Sequence, residues 1–403
     1  MPLKILYITC RRPHPQSHGG QLRAYHVANA LRSVGDVTIA TVGAEPGERK
    51  DGILGSGKFS LLGDWRVEPI ETRGVRFFLK TCCCPGFVNF HGLVLPQKTE
   101  AELVKAVNQN FDLVWFFQLR TANYFRQARW KQSVVDIDDL PSARIQSGRA
   151  LASGLGPRLR AAAWHQAARI HERRSVDRFT VRAVCSEEDR VMLRGDSDIQ
   201  LIPNGFARPK GEPLRTPTDP PRIGFIGLMD YEPNRDGICW FLRHCWPVLR
   251  TAMPGLRFRL AGKGATESIP IPPNGVDVLG WVNDAAAEIA TWSLMVIPIR
   301  SGAGTRIKIA DTFSRKCPAV STSIGAYGYA VQDRLQIRLA DTPEAFADAC
   351  LDLLNNPDEA TTMAERAWLD FLEKWTWDAI EPRVSAAAEK AMKLARDMRC
   401  SAR

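Results

Sequence analysis

The sequence predicts an α/β fold with two doubly wound domains, each a parallel sheet covered by helices on both faces. Short apolar runs of strand length alternate with segments of helical periodicity. The same alternation starts again after a proline-rich segment at Pro209–Pro221, and 403 residues exceed what one core usually organises. Ligands of such sheets bind beyond the carboxyl ends of the strands, so we expect the two domains to face each other across a central cleft.

The first half of the chain supplies the elements of the first domain. Its predicted strands are short and apolar, and they are Lys4–Thr9, Asp36–Val42, Arg76–Lys80, Asp112–Phe117 and Ser133–Ile137. The predicted helices between them are Gln21–Ser33, Thr99–Asn108 and Pro157–Arg178. We expect this first domain to cover residues 1–206.

The second half repeats the pattern. Its predicted strands are Ile223–Ile226, Arg257–Ala261, Val276–Leu279, Leu294–Pro298 and Ala319–Ser321. Helices are predicted at Gly237–Met253, at Asp284–Thr291 and in the charged tail Trp377–Ala402. The expected ranges are 207–375 for the second domain and 376–403 for a final helix that crosses back to the first domain.

Composition indicates a soluble globular protein, with 45% hydrophobic and 24% charged residues. No apolar run reaches the length of a membrane span, and the N-terminus lacks the long apolar core of a signal peptide, so we expect a cytoplasmic protein. The ten cysteines show no paired CxxC spacing, which favours reduced, mostly buried thiols over a zinc site.

The net charge of +10 is concentrated in the first half. Residues 1–200 contain 29 lysines and arginines against 20 acidic residues, while residues 201–403 contain 25 against 24. The basic stretch peaks between Arg158 and Arg194. An anionic membrane surface is favoured over nucleic acid, because no nucleic-acid motif or interleaved aromatic residue accompanies it. A solvated helix face is the alternative.

The segment Ser301–Asp311 carries the strongest chemical signal. It follows an apolar strand and reads as a glycine loop (Gly302, Gly304) before a helix, with Arg306 and Lys308 expected in the first helical turn. Glycines let a ligand approach the backbone, and the free N–H groups of a helix start attract anions. We expect Gly304, Lys308 and Asp311 to share one helix face that suits a nucleotide diphosphate. A tight turn with solvated charges remains the alternative.

Other segments place this motif in a wider pattern. In order along the chain they are Gly19-Gly20 with Arg23 and Tyr25, Val134–Asp139, Ile202–Gly205, Gly227–Asn234, Ala261–Gly264, Gly280–Asp284, Ser301–Asp311 and Pro318–Thr322. Together they resemble, over nearly the whole length, the family 4 glycosyltransferases (glycosyl transferases group 1) of bacterial polysaccharide biosynthesis. The resemblance implies the GT-B fold, in which two Rossmann-like domains face each other across a cleft.

The resemblance also implies roles for individual residues. Gly19 and Gly20 match the loop that closes over the donor diphosphate, and Val282 matches the segment whose main chain contacts the nucleobase. Gly302, Gly304 and Thr305 belong to the donor-binding loop, and Asp311 stands where the family has a carboxylate for the ribose hydroxyls. Arg306 and Lys308 would neutralise the leaving diphosphate, which removes the need for a bound divalent metal.

The chain departs from the family pattern at several positions. Ala303 replaces a glutamate that contacts the donor sugar, and Asp311 is one methylene shorter than the usual glutamate. The segment Leu228–Glu232 lacks a basic pair that many members carry. Asp138 stands where many members have a histidine; it could orient an acceptor hydroxyl, contact the donor sugar or cap a strand end. Asp136-Ile137-Asp138 also spells the Asp-x-Asp of metal-dependent enzymes with a single-domain fold, which the second doubly wound half argues against.

We therefore expect a retaining hexosyltransferase-type enzyme with Asp138, Arg306 and Lys308 as catalytic candidates. It would move a sugar from a nucleotide diphosphate donor, without a cofactor or metal, to a glycan or lipid-linked acceptor in cell-surface polysaccharide synthesis. Peripheral attachment to the inner face of the plasma membrane fits the basic first half, and nucleic acid is not an expected partner. The alternatives are an epimerase or phosphorylase on the same fold and a non-catalytic protein that binds nucleotide sugars.

Overall fold

The computed structural model describes residues 2–401 apart from 16–19, 45–47, 49–58, 71–73, 85–91, 127–129, 131, 152–153, 194–198 and 303. The chain folds into two compact units. Unit 1 contains Met1–Asn204 and Ile380–Arg403, and unit 2 contains Gly205–Ala379. Each unit has a parallel sheet with helices, so the predicted α/β class is confirmed.

Unit 1 is built on a parallel sheet with the order β3-β2-β1-β6-β7-β8-β9 in the described part of the chain. Its strands are β1 (Leu3–Thr9), β2 (Gly35–Val42), β3 (Ser60–Trp65), β4 (Glu68–Pro69), β5 (Leu93–Val94), β6 (Leu113–Phe117), β7 (Ser133–Ile137), β8 (Val181–Val184) and β9 (Ile199–Leu201), with β4 and β5 forming a separate antiparallel pair. Its helices are α1 (Gly20–Leu31), α2 (Gly74–Cys83), α3 (Gln97–Asn110), α4 (Leu119–Ala122), α5 (Pro141–Leu151), α6 (Leu155–Val176) and α7 (Glu187–Met192). Strands β6 and β7 are buried along their whole length, as expected of central strands covered on both faces.

Unit 2 has a second parallel sheet, with the order β12-β11-β10-β13-β14-β15. The strands are β10 (Arg222–Ile226), β11 (Arg257–Ala261), β12 (Val276–Gly280), β13 (Leu294–Ile297), β14 (Ala319–Ser321) and β15 (Arg338–Leu339). The helices are α8 (Glu232–Trp240), α9 (Trp246–Ala252), α10 (Ala265–Ser268), α11 (Ala285–Ala290), α12 (Ile307–Ser314), α13 (Pro343–Asn355) and α14 (Pro357–Lys374), followed by α15 (Trp377–Ser401), whose residues from Ile380 belong to unit 1. The proline-rich segment lies within unit 2, where the Thr216 N–H donates to the Ala290 carbonyl at 2.9 Å.

Two of the predicted elements differ from the structure. The strand predicted at Arg76–Lys80 is wrong, because these residues lie in α2 and bury Phe77 and Thr81, one helical turn apart. A short apolar run does not distinguish a buried strand from one face of a helix. The helix predicted from Gly237 begins five residues earlier, at Glu232, with Pro233 in its first turn and a π-helical segment at Phe241–Cys245.

Candidate functional site

The loop between β13 and α12 in unit 2 forms an open helix N-terminus. Gly302 and Gly304 have φ angles of 119° and 76°, which L side chains rarely adopt. Over the described residues, the backbone N–H groups of Gly304 and Thr305 have no hydrogen-bond acceptor. The Thr305 hydroxyl is likewise buried without a partner. Three donors in the loop just before α12 therefore remain available to an anion.

Lys308 supplies a positive charge in the first turn of α12. Its ammonium lies 5.1 Å from the centroid of the Phe225 ring and makes no hydrogen bond or ion pair with any described residue. Burial lowers the pKa of Lys308 to about 8, with nearby Asp311 acting in the opposite direction and Arg306 adding to the decrease. An enclosed ammonium that forms no ion pair or hydrogen bond with a described residue is costly, so this position suits an anionic ligand.

The space around Lys308 depends on glycines after neighbouring strands. A methyl group on Gly227, which follows β10, would lie 2.9 Å from the Lys308 Nζ and 3.0 Å from the Asn234 Nδ2. A methyl group on Gly262, which follows β11, would lie 1.9 Å from the Gly227 carbonyl oxygen. Both glycines belong to segments that the sequence resemblance singled out, and the structure gives the physical reason for them.

Arg306 supports the loop instead of opening the helix. It is the residue before α12, and its guanidinium donates to the Ile324 and Ser301 carbonyls, at 3.3 Å each. The expectation that the first helical turn contains Arg306 is therefore wrong. Gly304 also precedes the helix, so it does not share a helix face with Lys308 and Asp311. The sequence shows the glycines and cations but not the residue at which the helix begins.

Asp311 and Val282 complete the predicted residues of unit 2. Asp311 lies one turn after Lys308, and its Oδ1 accepts a hydrogen bond from the Arg315 Nε at 3.0 Å. No hydrogen bond to a described residue uses its Oδ2. The backbone N–H and carbonyl groups of Val282, just beyond β12, are similarly unpaired across the described residues. Both residues keep polar atoms that a ligand could use.

Asp138 follows β7 in unit 1 and is held by neighbouring side chains. The Gln118 Nε2 donates to its Oδ2 at 2.9 Å, and the Asn204 Nδ2 donates to its Oδ1 at 3.4 Å. Neither hydrogen bond involves a helix N–H group, and α5 begins only at Pro141, so Asp138 does not cap that helix. Asp138 is thus an oriented, partly exposed carboxylate. Gly20 begins α1 in the same unit, whereas Gly19 and Ala303 lie outside the described residues.

Arg23 is an important residue whose role the sequence did not indicate. It is 2% exposed and donates to the Asp136 Oδ1 at 2.7 Å and to the carbonyls of Ile202 and Pro203 at 2.9 Å each. A further bond joins it to the Asn204 Oδ1 at 3.0 Å. Burial raises the pKa of Asp136, and the adjacent guanidinium of Arg23 opposes that increase. Because Asp136 is buried against this arginine, the Asp-x-Asp interpretation does not fit the structure.

One group of side chains in the described ranges has the spacing of metal ligands. Donor atoms of Asp138, Asp139 and Cys185 lie within 4.8 Å of one another. Burial raises the pKa of the Cys185 thiol well above its ordinary value, and the thiol donates to the Asp138 carbonyl at 2.7 Å. A metal ion bound here would have to displace this thiol proton, because the thiolate is the form that ligates metals.

Comparison with known proteins assigns the region that contains the Lys308 site. Residues 220–356 match the family model of the glycosyl transferases group 1. The match and the fold together support a hexosyltransferase-type enzyme. No curated protein matches the sequence.

Solved structures extend the fold likeness to the whole chain. Sucrose-phosphate synthase from Thermosynechococcus elongatus is 15% identical with a TM-score of 0.62, and the match covers 99% of this chain and 100% of that one. HepE of Anabaena in complex with UDP is 12% identical with a TM-score of 0.64, and the match covers 96% of this chain and 100% of that one. WaaG, a glycosyltransferase involved in lipopolysaccharide biosynthesis, is 14% identical with a TM-score of 0.57, and the match covers 95% of this chain and 98% of that one. The chain therefore has the GT-B fold, with two Rossmann-like sheets.

Proposed function

We propose that the protein is a retaining, metal-independent hexosyltransferase of family 4 that uses a nucleotide diphosphate sugar as its donor. The observation that carries the proposal is the enclosed ammonium of Lys308 beside unpaired donors at the start of α12. A diphosphate would supply the missing negative charge. Donor binding is thereby assigned to unit 2, and acceptor binding to unit 1.

Each residue of the Lys308 site would then have a distinct task. The N–H groups of Gly304 and Thr305, with the Thr305 hydroxyl, would bind phosphate oxygens, and Lys308 would stabilise the charge that develops on the departing diphosphate. Asp311 would accept the ribose hydroxyls through its available oxygen. The main chain of Val282 would contact the base. Arg306 would act by holding the glycine loop in shape.

Uridine diphosphate is the first nucleotide to test, because HepE is described in complex with UDP. The experiment incubates the protein with UDP-, GDP-, ADP- and dTDP-linked hexoses and acceptor saccharides, with and without a chelator, and measures the nucleoside diphosphate released. NMR of the product reports the anomeric configuration. Lys308→Met is the test variant, and Lys374→Met, which changes an exposed lysine paired with Asp370, is its control.

The results separate the proposal from its alternatives. We expect acceptor-dependent turnover of one donor class, retained configuration, no loss with the chelator and strong loss in Lys308→Met alone. Donor consumption without an acceptor would favour an epimerase or hydrolytic activity. Donor binding without turnover under every acceptor would favour a non-catalytic binding protein. Loss of turnover with the chelator would contradict metal independence.

A role in cell-surface polysaccharide synthesis would bring the enzyme to an anionic membrane. Only the start of the arginine-rich stretch supports this. Arg174, further along it, binds three backbone carbonyls beside the end of α2, and Arg178 is buried against those of Ala122 and Phe125. Burial lowers the pKa of Arg178 to about 10. Such arginines stabilise the fold and are not available to lipids.

The surface that suits a bilayer is formed by α2 and the start of α6, two helices that contact each other. We call it the basic–apolar surface; its exposed residues are Val75, Arg76, Leu79, Lys80, Leu155, Arg158, Leu159 and Arg160. No acidic residue occurs in either Gly74–Cys83 or Leu155–His171. Exposed apolar side chains flanked by cations are typical of peripheral membrane attachment. Among the described residues no helix is long and apolar enough to span a bilayer.

Vesicle sedimentation tests this part of the proposal. We expect salt-sensitive binding to vesicles that contain an anionic lipid, no binding to neutral vesicles, and weaker binding of the double variant Arg76→Gln/Lys80→Gln. Arg190→Gln, which changes an exposed residue on α7, serves as the control. Equal binding of the double variant and the wild type would contradict the assignment of this surface.

A further inference from the structure

A cavity of about 360 Å³ lies in unit 1 beside Asp138. Gln118, directly after β6, and Asp139, two residues after β7, line it together with Arg120 and Arg144. The remaining lining is apolar. Its position at the carboxyl ends of two central parallel strands is where ligands of such sheets bind, and its volume is within the range of small-molecule sites.

The two arginines of the cavity have no carboxylate partner among the residues that the structure describes. The Arg120 guanidinium lies 6.0 Å from the centroid of the Tyr124 ring, and Arg144 is exposed on α5. Neither arginine forms an ion pair with a residue in the described ranges. Arginine binds carboxylate and phosphate groups through two parallel hydrogen bonds, so a pair of them in one cavity favours an oxyanion.

The other polar lining residues favour hydroxyl groups. Asp139 contributes a carboxylate, which accepts hydrogen bonds from sugar hydroxyls, and Gln118 contributes an amide. Gln118 has a φ of 67° and a ψ of 137°, a strained backbone for a residue with a side chain. Its N–H donates to the Asp136 carbonyl at 2.8 Å, its Oε1 accepts from the Cys10 thiol at 3.1 Å, and its Nε2 donates to Asp138. The strained residue thus links the cavity to the oriented carboxylate.

We propose that this cavity binds the acceptor, and that the acceptor is a saccharide with a carboxylate or phosphate group. The oxyanion binds Arg120 and Arg144, the ring hydroxyls bind Asp139 and Gln118, and the nucleophilic hydroxyl is placed next to Asp138. The apolar lining packs against the carbon face of the sugar. That the bound sugar is an acceptor rests on the proposed glycosyltransferase function. The preference of the cavity for anions can be measured without donor or turnover.

Saturation-transfer NMR tests the proposal on the full-length wild-type protein. The probes are a methyl glucuronoside, a glucose phosphate and the neutral methyl glucoside, each at millimolar concentration. We expect both acidic sugars, or one of them, to bind at least about tenfold more tightly than the neutral sugar, as expected for loss of one charge-assisted hydrogen bond. The better of the two identifies the oxyanion as a carboxylate or a phosphate.

Substitutions then locate the binding site. Arg120→Gln and Arg144→Gln should each weaken the acidic sugar about tenfold and leave the neutral sugar unchanged, whereas the control Arg190→Gln on exposed α7 should change neither. Arg144 is exposed, so its variant tests the proposal even if Arg120→Gln unfolds the protein. Equal affinity for acidic and neutral sugars, no binding of the acidic sugars, or unchanged affinity in Arg144→Gln would overturn it.

A separate titration with uridine diphosphate distinguishes the two proposals. If uridine diphosphate binds and the acidic sugars do not, the donor site stands and the acceptor proposal fails. If the acidic sugars bind through Arg144 and no nucleoside diphosphate binds, the anion site stands and the glycosyltransferase function fails.

Discussion

Arg23 in unit 1 and Lys308 in unit 2 are both enclosed cations on a helix that follows a parallel strand, yet their surroundings differ. Arg23 has a carboxylate, two backbone carbonyls and an amide oxygen within hydrogen-bond distance. Lys308 has an aromatic ring beside it and no acceptor among the residues that the structure describes. The protein itself supplies a counter-charge and several acceptors for the first cation, and the second is left for a ligand.

This difference separates a structural charge from a binding charge. A buried ion pair that loses one partner leaves the other partner uncompensated, so Arg23 should matter for stability. A partly buried charge without a hydrogen-bonding partner lowers stability, so Lys308 is better explained by the ligand that it binds. The predictions below test this comparison, beginning with the largest expected effect.

Replacement of Arg23 should destabilise unit 1 strongly. In Arg23→Ala, the buried carboxylate of Asp136 loses its counter-charge, and we expect the free energy of unfolding to fall by about 3–5 kcal/mol. Urea unfolding measures the change. The control is Arg32→Ala, which removes an exposed arginine just after α1. A loss of less than about 1 kcal/mol would mean that Arg23 is not the structural charge described here.

A methyl group on Gly227 should displace the Lys308 ammonium. Since that methyl would lie 2.9 Å from the Nζ, Gly227→Ala should weaken binding of uridine diphosphate by roughly 10- to 100-fold, the usual cost of a lost charged hydrogen bond. Isothermal titration calorimetry measures the affinity. Gly211→Ala is the matched control, because a methyl group there meets no atom within 4 Å. Unchanged affinity in Gly227→Ala would argue against a ligand at this ammonium.

The affinity for uridine diphosphate should depend on pH through Lys308. The pKa of about 8 in the free protein rises when the diphosphate supplies negative charge, so binding takes up a proton. Below pH 8 the lysine is already charged, and above it the dissociation constant should increase by up to about tenfold per pH unit. The same titrations on Lys308→Met should show no such step. A flat profile between pH 8 and pH 9 in the wild type would contradict the assignment.

Removal of the Thr305 hydroxyl should have the smallest effect. In Thr305→Val the shape is kept, and the affinity for uridine diphosphate should fall only about three- to tenfold, as expected for one neutral hydrogen bond. Stability should not fall, because the buried hydroxyl has no hydrogen-bond partner to lose among the described residues. Thermal unfolding and calorimetry report the two quantities. Destabilisation without loss of affinity would show that the hydroxyl serves the fold.

The sequence predicted the fold where burial is strong and local. The apolar runs at β6 and β13 are buried along their length, and so they were recognisable as strands. The strand at Ser60–Trp65 was missed because it lies at the sheet edge and its side chains are largely exposed. Amphipathic α2 was taken for a strand because its buried residues lie within a short apolar run. Continuous apolar runs therefore predict strands well, whereas the exposed edge strand β3 and the short strand β8 do not stand out in the sequence.

The candidate site was predictable only where its residues are close in sequence. Gly302, Gly304 and Lys308 fall within one strand–loop–helix segment, so their spacing indicated an anion site. Arg23 and Asp136 are 113 residues apart, and no pattern in the sequence links them. The strained backbone of Gln118 is equally invisible, because no glycine marks it. Whether a charged residue stabilises the fold or binds a ligand can be decided only when the three-dimensional structure shows which groups surround it.

The most direct test of the central claim is calorimetric titration of uridine diphosphate into the wild type and Lys308→Met at pH 7, with urea unfolding of both proteins. We expect the variant to bind about 10- to 100-fold more weakly and to be at least as stable as the wild type. Equal affinity in the two proteins, or a marked loss of stability in the variant, would show that Lys308 is a structural charge like Arg23.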